Sequence, residues 1–300
     1  MNIERHRGIA LISVLWVLTL LTLLATGLSV NSRSQARQSA NITQAAQVRH
    51  AADAGVQLAM LMLAQPKEQP TWLADGSANL IMLDEIEIRV ALFNENGRID
   101  LNAAGPELLD GLLVTAGVDD DLRARLVDAI MDWRDGDDLR RLNGAEADDY
   151  LAAGLDYGPG NAPFQSVDEV LQVLDMTPDI YRRIRHSLTL RNPRNSINPL
   201  YAPRQVLLAL PGTDEITVDQ FIADRRRNHE AGQPLPATDI FPRALLSGGS
   251  SGVNYTVHTE ARMNTVYRYR LTASLLNRRG RPILKQITQE FIPLFTEPDA

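Results

Sequence analysis

Carboxylate side chains are concentrated in one stretch, DWRDGDDLRRLNGAEADDY, which runs from Asp132 to Tyr150. Seven of them fall within 18 residues, namely Asp132, Asp135, Asp137, Asp138, Glu146, Asp148 and Asp149. Like charges at this density repel one another unless a cation or nearby arginines offset them. Oxygen ligands select hard cations such as Ca²⁺. The stretch therefore predicts either a calcium site or a solvated acidic loop that is paired with Arg134, Arg140 and Arg141.

The candidate metal ligands in this stretch are Asp135, Asp137, Glu146, Asp148 and Asp149. The first three have the spacing of ligands in an EF-hand loop. However, Leu139 and Arg140 stand where that loop needs a ligand and then a glycine. The stretch is therefore not an EF-hand, and a calcium ion here would be held by an irregular loop of another kind.

No constellation of catalytic residues accompanies the carboxylates. The five histidines are scattered, cysteine is absent, and the sequence has neither a G-x-S-x-G motif nor a P-loop. The Gly- and Ser-rich run 247–252 predicts a flexible loop. We therefore expect a protein that is not an enzyme.

The N-terminal segment predicts a membrane anchor. Ile9 to Val30 is a run of 22 residues without a charge, which is long enough to cross a bilayer as a helix. It follows a short basic leader, Met1 to Gly8, and no small-residue cleavage site follows it as in a secretory signal. A basic leader stays in the cytoplasm, so we expect a single-pass inner-membrane protein with its C-terminal domain in the periplasm.

The remaining elements predict a sheet that is interrupted by helices. One helix is expected from Ile9 to about Gln65, followed by a loop over 67–79. Alternating apolar residues predict a strand over 85–93, a turn and a return strand over 98–101, and three further strands. These last strands are expected over 253–261, 266–276 and 283–292.

The region between these strands predicts small helix–turn–helix units. The segment 99–104 resembles 197–202 at an offset of 98 residues, and each copy is followed by a turn and a second helix. Such units are similar to helix-hairpin-helix or SAM-like modules. The predicted parts are a leader (1–8), the membrane half of the helix (9–30), the rest of the helix with the first strands (31–101), a helical insertion (102–247) and the C-terminal strands (248–300).

A membrane-tethered DNA-binding module is the alternative from another functional class. Helix-hairpin-helix units often bind DNA, and Arg182, Arg183 and Arg225 to Arg227 supply basic residues. A solvated helix face explains the same arginines, because the net charge is −7 and no aromatic platform accompanies them. We therefore expect no nucleic-acid partner.

The N-terminal segment resembles the class III signal of type IV pilins and type II secretion pseudopilins. In those families a prepilin peptidase cuts after the glycine and methylates the new N-terminus, so the resemblance implies cleavage between Gly8 and Ile9. Most members carry Phe at the first mature position and Glu at the fifth, where this chain has Ile9 and Ser13. That Glu is thought to pair with the neighbouring subunit's N-terminal amine. A subunit without it fits best at the end of a filament.

Four segments, DWRDGDD, GAEADDY, NAPFQSVDEVLQVL and SINPLYAPRQVLLAL, resemble the type II secretion minor pseudopilin K family (general secretion pathway protein K). The resemblance covers nearly the whole chain. It implies an α+β pseudopilin fold, in which a long N-terminal transmembrane helix packs on an antiparallel sheet that carries a large helical insertion. It also implies calcium in the acidic loop. This loop is one residue longer than the family form, which leaves open whether Asp148 or Asp149 is the ligand.

The function implied by the resemblance is that of a minor pseudopilin at the tip of the type II secretion pseudopilus. Such a subunit initiates or caps assembly for the export of folded proteins across the outer membrane. The implied partners are minor pseudopilins I, J and H, the major pseudopilin G, prepilin peptidase and the inner membrane. A minor pilin of a type IV pilus is the alternative within the same class.

Overall fold

The computed structural model describes residues 7–65, 72–248, 253–264, 267–278 and 280–290, with the side chains of all of these except 7–10, 27–34 and 289–290. Residues 1–6 of the predicted leader lie outside this described part, as does the side chain of Ile9 at the predicted cleavage position.

The first element is a helix of 58 residues, α1 (Arg7–Ala64), which confirms the predicted long N-terminal helix. The side chains of its apolar first half are exposed from Leu11 to Leu24, because no other part of the described chain packs against them. Among the residues whose side chains are described, no helix is both long enough and apolar enough to cross a membrane.

The second half of α1 packs on a sheet through small and β-branched residues. Val48, Ala52, Val56 and Ala59 are buried at helical spacing. At Gly55 an added Cβ would lie 2.9 Å from the Thr259 side chain, so the glycine lets the helix approach the strands closely. This face of α1 and one face of the sheet form the first hydrophobic core.

The sheet has five strands, β1 (Asp75–Leu83), β2 (Ile86–Asn94), β5 (Val253–Met263), β6 (Tyr267–Arg278) and β7 (Arg281–Glu290). They are antiparallel and lie in the order β1-β2-β5-β6-β7. The α+β class and four of these strands confirm the prediction. The predicted loop over 67–79 is wrong at its end, because β1 begins at Asp75.

A helical region separates β2 from β5 and has a second core of its own. Its elements are β3 (Ile99–Asp100), α2 (Pro106–Thr115), α3 (Asp120–Arg134), α4 (Ala147–Ala152), α5 (Pro178–Ile184), β4 (Leu188–Thr189), α6 (Arg204–Leu208) and α7 (Glu215–Glu230). Residues 98–101 do not return along β2 as predicted, because β3 pairs in parallel with β4.

The two copies of the sequence repeat form the helix pairs α2–α3 and α6–α7. Gly117 and Gly212 have positive φ angles of 71° and 75° in the two turns, a conformation that favours glycine. The pairs pack tightly, since an added Cβ at Gly111 in α2 would lie 2.0 Å from the Ala209 carbonyl oxygen.

Candidate metal centre

The C-terminal end of α3 positions two carboxylates of the acidic stretch. Asp132 lies in the last turn of this helix and is completely buried, and Asp135 is the residue that ends it. A helix C-terminus carries partial negative charge, so both carboxylates lie where an additional negative charge is least favourable. This position favours the binding of a cation.

Glu146 is the residue that precedes α4, and its backbone N–H donates to the Asp149 carboxylate at 2.9 Å. The Glu146 residue is only 8% exposed, and neither of its carboxylate oxygens has a hydrogen-bond partner. Burial, followed by the negative charges of Asp132 and Asp135, raises the pKa of Glu146 to about 7. Oδ1 of Asp132 and Oδ1 of Asp135 also lack hydrogen bonds. Four buried carboxylate oxygens therefore accept no hydrogen bond, and of these Oδ1 of Asp132 has an ion-pair contact with Arg141.

Arginines offset part of this charge. The Arg141 guanidinium lies 3.1 Å from Asp132 and 3.5 Å from Asp135, and Arg140 pairs with Asp149 at 2.8 Å. Arg134 points away from the loop, because its Nη2 donates to the Ala104 carbonyl at 2.5 Å. The predicted pairing of the acidic loop with arginines is therefore present for Arg140 and Arg141 but absent for Arg134.

The other predicted ligands have local roles in the backbone. Oδ1 of Asp137 accepts a hydrogen bond from the Leu139 N–H at 2.9 Å, and Asp149 caps α4 through the Glu146 N–H. Asp148 is exposed in the first turn of α4. The structure thus places Asp135 and Glu146 close enough to Asp132 for their charges to interact. The sequence analysis placed Asp132 in the cluster but not among the ligands. The available signal was its position three residues before Asp135 on a predicted helix.

Tight packing fixes the floor of this site. An added Cβ at Gly144 would lie 1.9 Å from Oδ2 of Asp132, so no other residue type fits there without rearrangement. The rings of Trp133 and Tyr150 are buried and have centroids 6.0 Å apart, which ties the end of α3 to α4. The loop between them is therefore anchored at both ends.

The donor set fits a hard cation. Asp132, Asp135 and Glu146 supply only oxygen atoms, and Oδ1 of Asp135 and both carboxylate oxygens of Glu146 are buried without hydrogen bonds. As the described side chains stand, no group of three or more His, Asp or Glu residues is arranged to hold a metal ion. Asp132 and Asp135 instead contact the guanidinium of Arg141.

A second charged contact joins the sheet to the helical region. Nη2 of Arg225 in α7 donates to Oδ2 of Asp75 at 2.7 Å, and Nη1 donates to the carbonyls of Pro199 and Ala202, each at 2.9 Å. Arg225 is only 2% exposed. The sequence interpretation of this arginine, as a DNA contact or a solvated helix face, is therefore wrong. Burial lowers the pKa of Arg225, and the Asp75 charge opposes that shift.

Comparison with known sequences identifies relatives of this chain. Residues 77–193 match the model of the family described as type II secretion system (T2SS), protein K. The type II secretion system protein K of Pseudomonas aeruginosa is 29% identical over 282 residues, which cover 85% of this chain and 82% of the relative. The protein of the same name from Klebsiella pneumoniae is 29% identical over 237 residues, which cover 72% and 73%.

Comparison of folds gives a consistent result. The chain is similar to a chain in the crystal structure of the GspK-GspI-GspJ complex from the enterotoxigenic Escherichia coli type 2 secretion system. The TM-score is 0.55 at 15% sequence identity, and the match covers 86% of this chain and 100% of that chain. Sequence relatives that align along most of their length and this shared architecture confirm the predicted resemblance. The family model, the sequence relatives and the solved structure therefore agree that this chain is similar to type II secretion system protein K.

Proposed function

We propose that this chain is a minor pseudopilin that forms the tip of a periplasmic pseudopilus with minor pseudopilins I and J, and that it initiates and caps assembly for the export of folded proteins. The observation that carries the proposal is the fold match over the whole of a chain crystallised in a GspK-GspI-GspJ complex. In the proposed filament, minor pseudopilin H and the major pseudopilin G follow below this complex.

The residue at Ser13 supports a terminal position. An intramembrane carboxylate needs a partner. In the resembled families, the Glu at this position is thought to pair with the N-terminal amine of a neighbouring subunit. A subunit at the tip has no older subunit ahead of it, so it fits a chain that lacks this Glu. Ser13→Glu should therefore give unchanged or mildly reduced secretion, while Ser13→Ala should be indistinguishable from wild type. The measurement is secretion in a strain that lacks the chromosomal copy, together with co-purification of the full chain with I and J. Improved secretion in Ser13→Glu, or its distribution along filaments, would contradict the tip assignment.

Anchoring in the inner membrane is part of the proposal. It is supported by the 22 uncharged residues from Ile9 to Val30 and by the exposed apolar side chains of α1. Prepilin peptidase would remove residues 1–8, so the mature chain should begin at N-methylated Ile9 in an intact-mass measurement. Gly8→Leu should leave the precursor uncleaved and secretion lost, whereas Gly27→Leu, inside the apolar run, should leave cleavage unchanged. Secretion by uncleaved Gly8→Leu would refute this step.

Calcium binding is proposed at the end of α3. Asp132, Asp135 and Glu146 would hold the ion, which would supply the positive charge that their buried oxygens lack. Binding to the folded state alone stabilises it by about 2.7 kcal/mol at a hundredfold excess over Kd. The full chain in detergent should therefore melt at a higher temperature with CaCl₂ than with chelator.

Variants can locate this effect of calcium. The melting shift should shrink in Asp135→Asn and Glu146→Gln, because each removes a charged ligand. Asp156→Asn is the matched control, since Asp156 is exposed beyond α4. Mg²⁺ should stabilise less well, because it demands a tighter octahedral arrangement. Equal melting temperatures with calcium and with chelator would show that the carboxylates form only an ion-paired surface.

A further inference from the structure

The guanidinium of Arg141 bridges two of the three carboxylates at the end of α3. Its Nε lies 3.1 Å from Oδ1 of Asp132, and its Nη2 lies 3.5 Å from Oδ2 of Asp135. We propose that Arg141 is an internal counterion that occupies the place of the cation in the calcium-free protein and is displaced into solvent when calcium binds. This inference rests on the calcium binding proposed above and names the residue that regulates it.

The backbone of Arg141 is held in place while its side chain lies at the rim of the site. Its N–H donates to Oδ2 of Asp132 at 3.2 Å, and its carbonyl accepts from the Gly144 N–H at 3.1 Å. In contrast, 43% of the side chain is exposed. The guanidinium can therefore leave the carboxylates by rotation of the Arg141 side chain while the Arg141 backbone keeps its hydrogen bonds.

The charges make the two occupants mutually exclusive. A guanidinium and a divalent cation repel each other strongly when they contact the same carboxylates. Arg141 offers one positive charge to Asp132 and Asp135 and makes no hydrogen bond to Glu146, whose oxygens stay unpaired. A divalent cation offers twice that charge and draws all three carboxylates together. The bridge from Arg141 also accounts for the lack of a ready-made coordination group among the described carboxylates.

Arg140 is the natural control for this role. It precedes Arg141 in the same loop and pairs with Asp149 at 2.8 Å, and its side chain is 56% exposed. Replacing either arginine with glutamine removes one positive charge from the same loop, so both variants change the field at the site in the same direction. Only the loss of Arg141 removes a direct competitor for Asp132 and Asp135.

The test measures the affinity of the full chain in detergent for CaCl₂ by calorimetry at physiological ionic strength. Arg141→Gln should bind calcium about three- to tenfold more tightly than wild type, because displacing a partly exposed ion pair opposes binding by a modest amount. Arg140→Gln should differ from wild type by less than about twofold, because salt screens the lost charge. Without calcium, Arg141→Gln should melt below Arg140→Gln, since it has lost the counterion.

Arg141→Lys provides a second test that preserves the charge. A lysine ammonium cannot bridge two carboxylates as the guanidinium fork does, so this variant should bind calcium with an affinity between those of wild type and Arg141→Gln. Calcium binding by Arg141→Gln that is no tighter than by Arg140→Gln would overturn the displacement while leaving the proposed calcium site intact. Absence of calcium binding in both wild type and Arg141→Gln would overturn the site and the inference together.

Discussion

The buried pair of Asp75 and Arg225 should hold the helical region against the sheet. Asp75 lies at the start of β1 and Arg225 lies in α7, and the side chains are 6% and 2% exposed. The Asp75→Asn substitution preserves the shape of the side chain and an oxygen that accepts from Arg225, but it removes the negative charge. The guanidinium would then remain buried without an opposite charge, and that state is strongly unfavourable.

The expected loss of stability follows from these contacts. Breaking a buried pair by removing one partner costs about 3–5 kcal/mol, and the hydrogen bond that Asn retains reduces this to about 2–3 kcal/mol. Arg225→Met should cost more, because it also leaves the carbonyls of Pro199 and Ala202 without their donor. For a chain of this size, the Asp75→Asn loss corresponds to a decrease in melting temperature of roughly 4–12 °C.

The assay is thermal unfolding of the full chain in detergent, with Glu87→Gln as the matched control. Glu87 pairs with Arg89 at 2.7 Å on the neighbouring strand, but these side chains are 22% and 54% exposed. Exposed pairs contribute at most about 1 kcal/mol, so this variant should melt close to wild type. The reasoning would be refuted if Asp75→Asn lost no more stability than Glu87→Gln.

Two further predictions concern packing and pH. Gly111→Ala places a Cβ 2.0 Å from the Ala209 carbonyl oxygen and should destabilise the protein by about 1–3 kcal/mol in thermal unfolding. The control is Gly136→Ala, whose Cβ meets nothing within 4 Å and should not destabilise the protein. Equal melting temperatures of the two variants would contradict the close approach of α2 and α6. Because the pKa of Glu146 is raised to about 7, the native protein retains a proton there that the unfolded chain releases, so this contribution to stability falls as the pH rises from 4.5 to about 7. In the presence of chelator, the melting temperature of the wild type should therefore decrease more between about pH 5 and about pH 8 than that of Glu146→Gln. Parallel pH profiles of the two proteins would refute this.

Long periodic segments were predictable because one face of each is buried. The stripe from Val48 to Ala59 and the alternation in β2 depend only on local spacing and on the presence of a core. β1 was missed because Gly76, Ser77 and Asn79 have low strand propensity. As an edge strand with a single neighbour, β1 needs little apolar patterning to remain paired.

The composition of the candidate site was predictable, but its geometry was not. Sequence spacing cannot distinguish a carboxylate that caps the backbone, as Asp137 does, from one that is buried without a partner, as Glu146 is. That difference depends on where α3 ends and on the close approach of Gly144 to Asp132. The role of Arg225 was missed for the same reason, because its partner Asp75 is 150 residues away in sequence.

Arginine rather than lysine or cystine joins the parts of this chain. Cysteine is absent, and all but two of the 30 basic residues are arginine. Arg225 contacts a carboxylate and two carbonyls at once, and Arg141 bridges two carboxylates. A planar guanidinium makes several such contacts from a fixed geometry, whereas an ammonium acts as a compact point charge. Arg225 therefore holds the large helical insertion to the sheet through a contact that depends on the positions of both partners. In the acidic loop, Arg141 is a counterion that remains accessible to solvent.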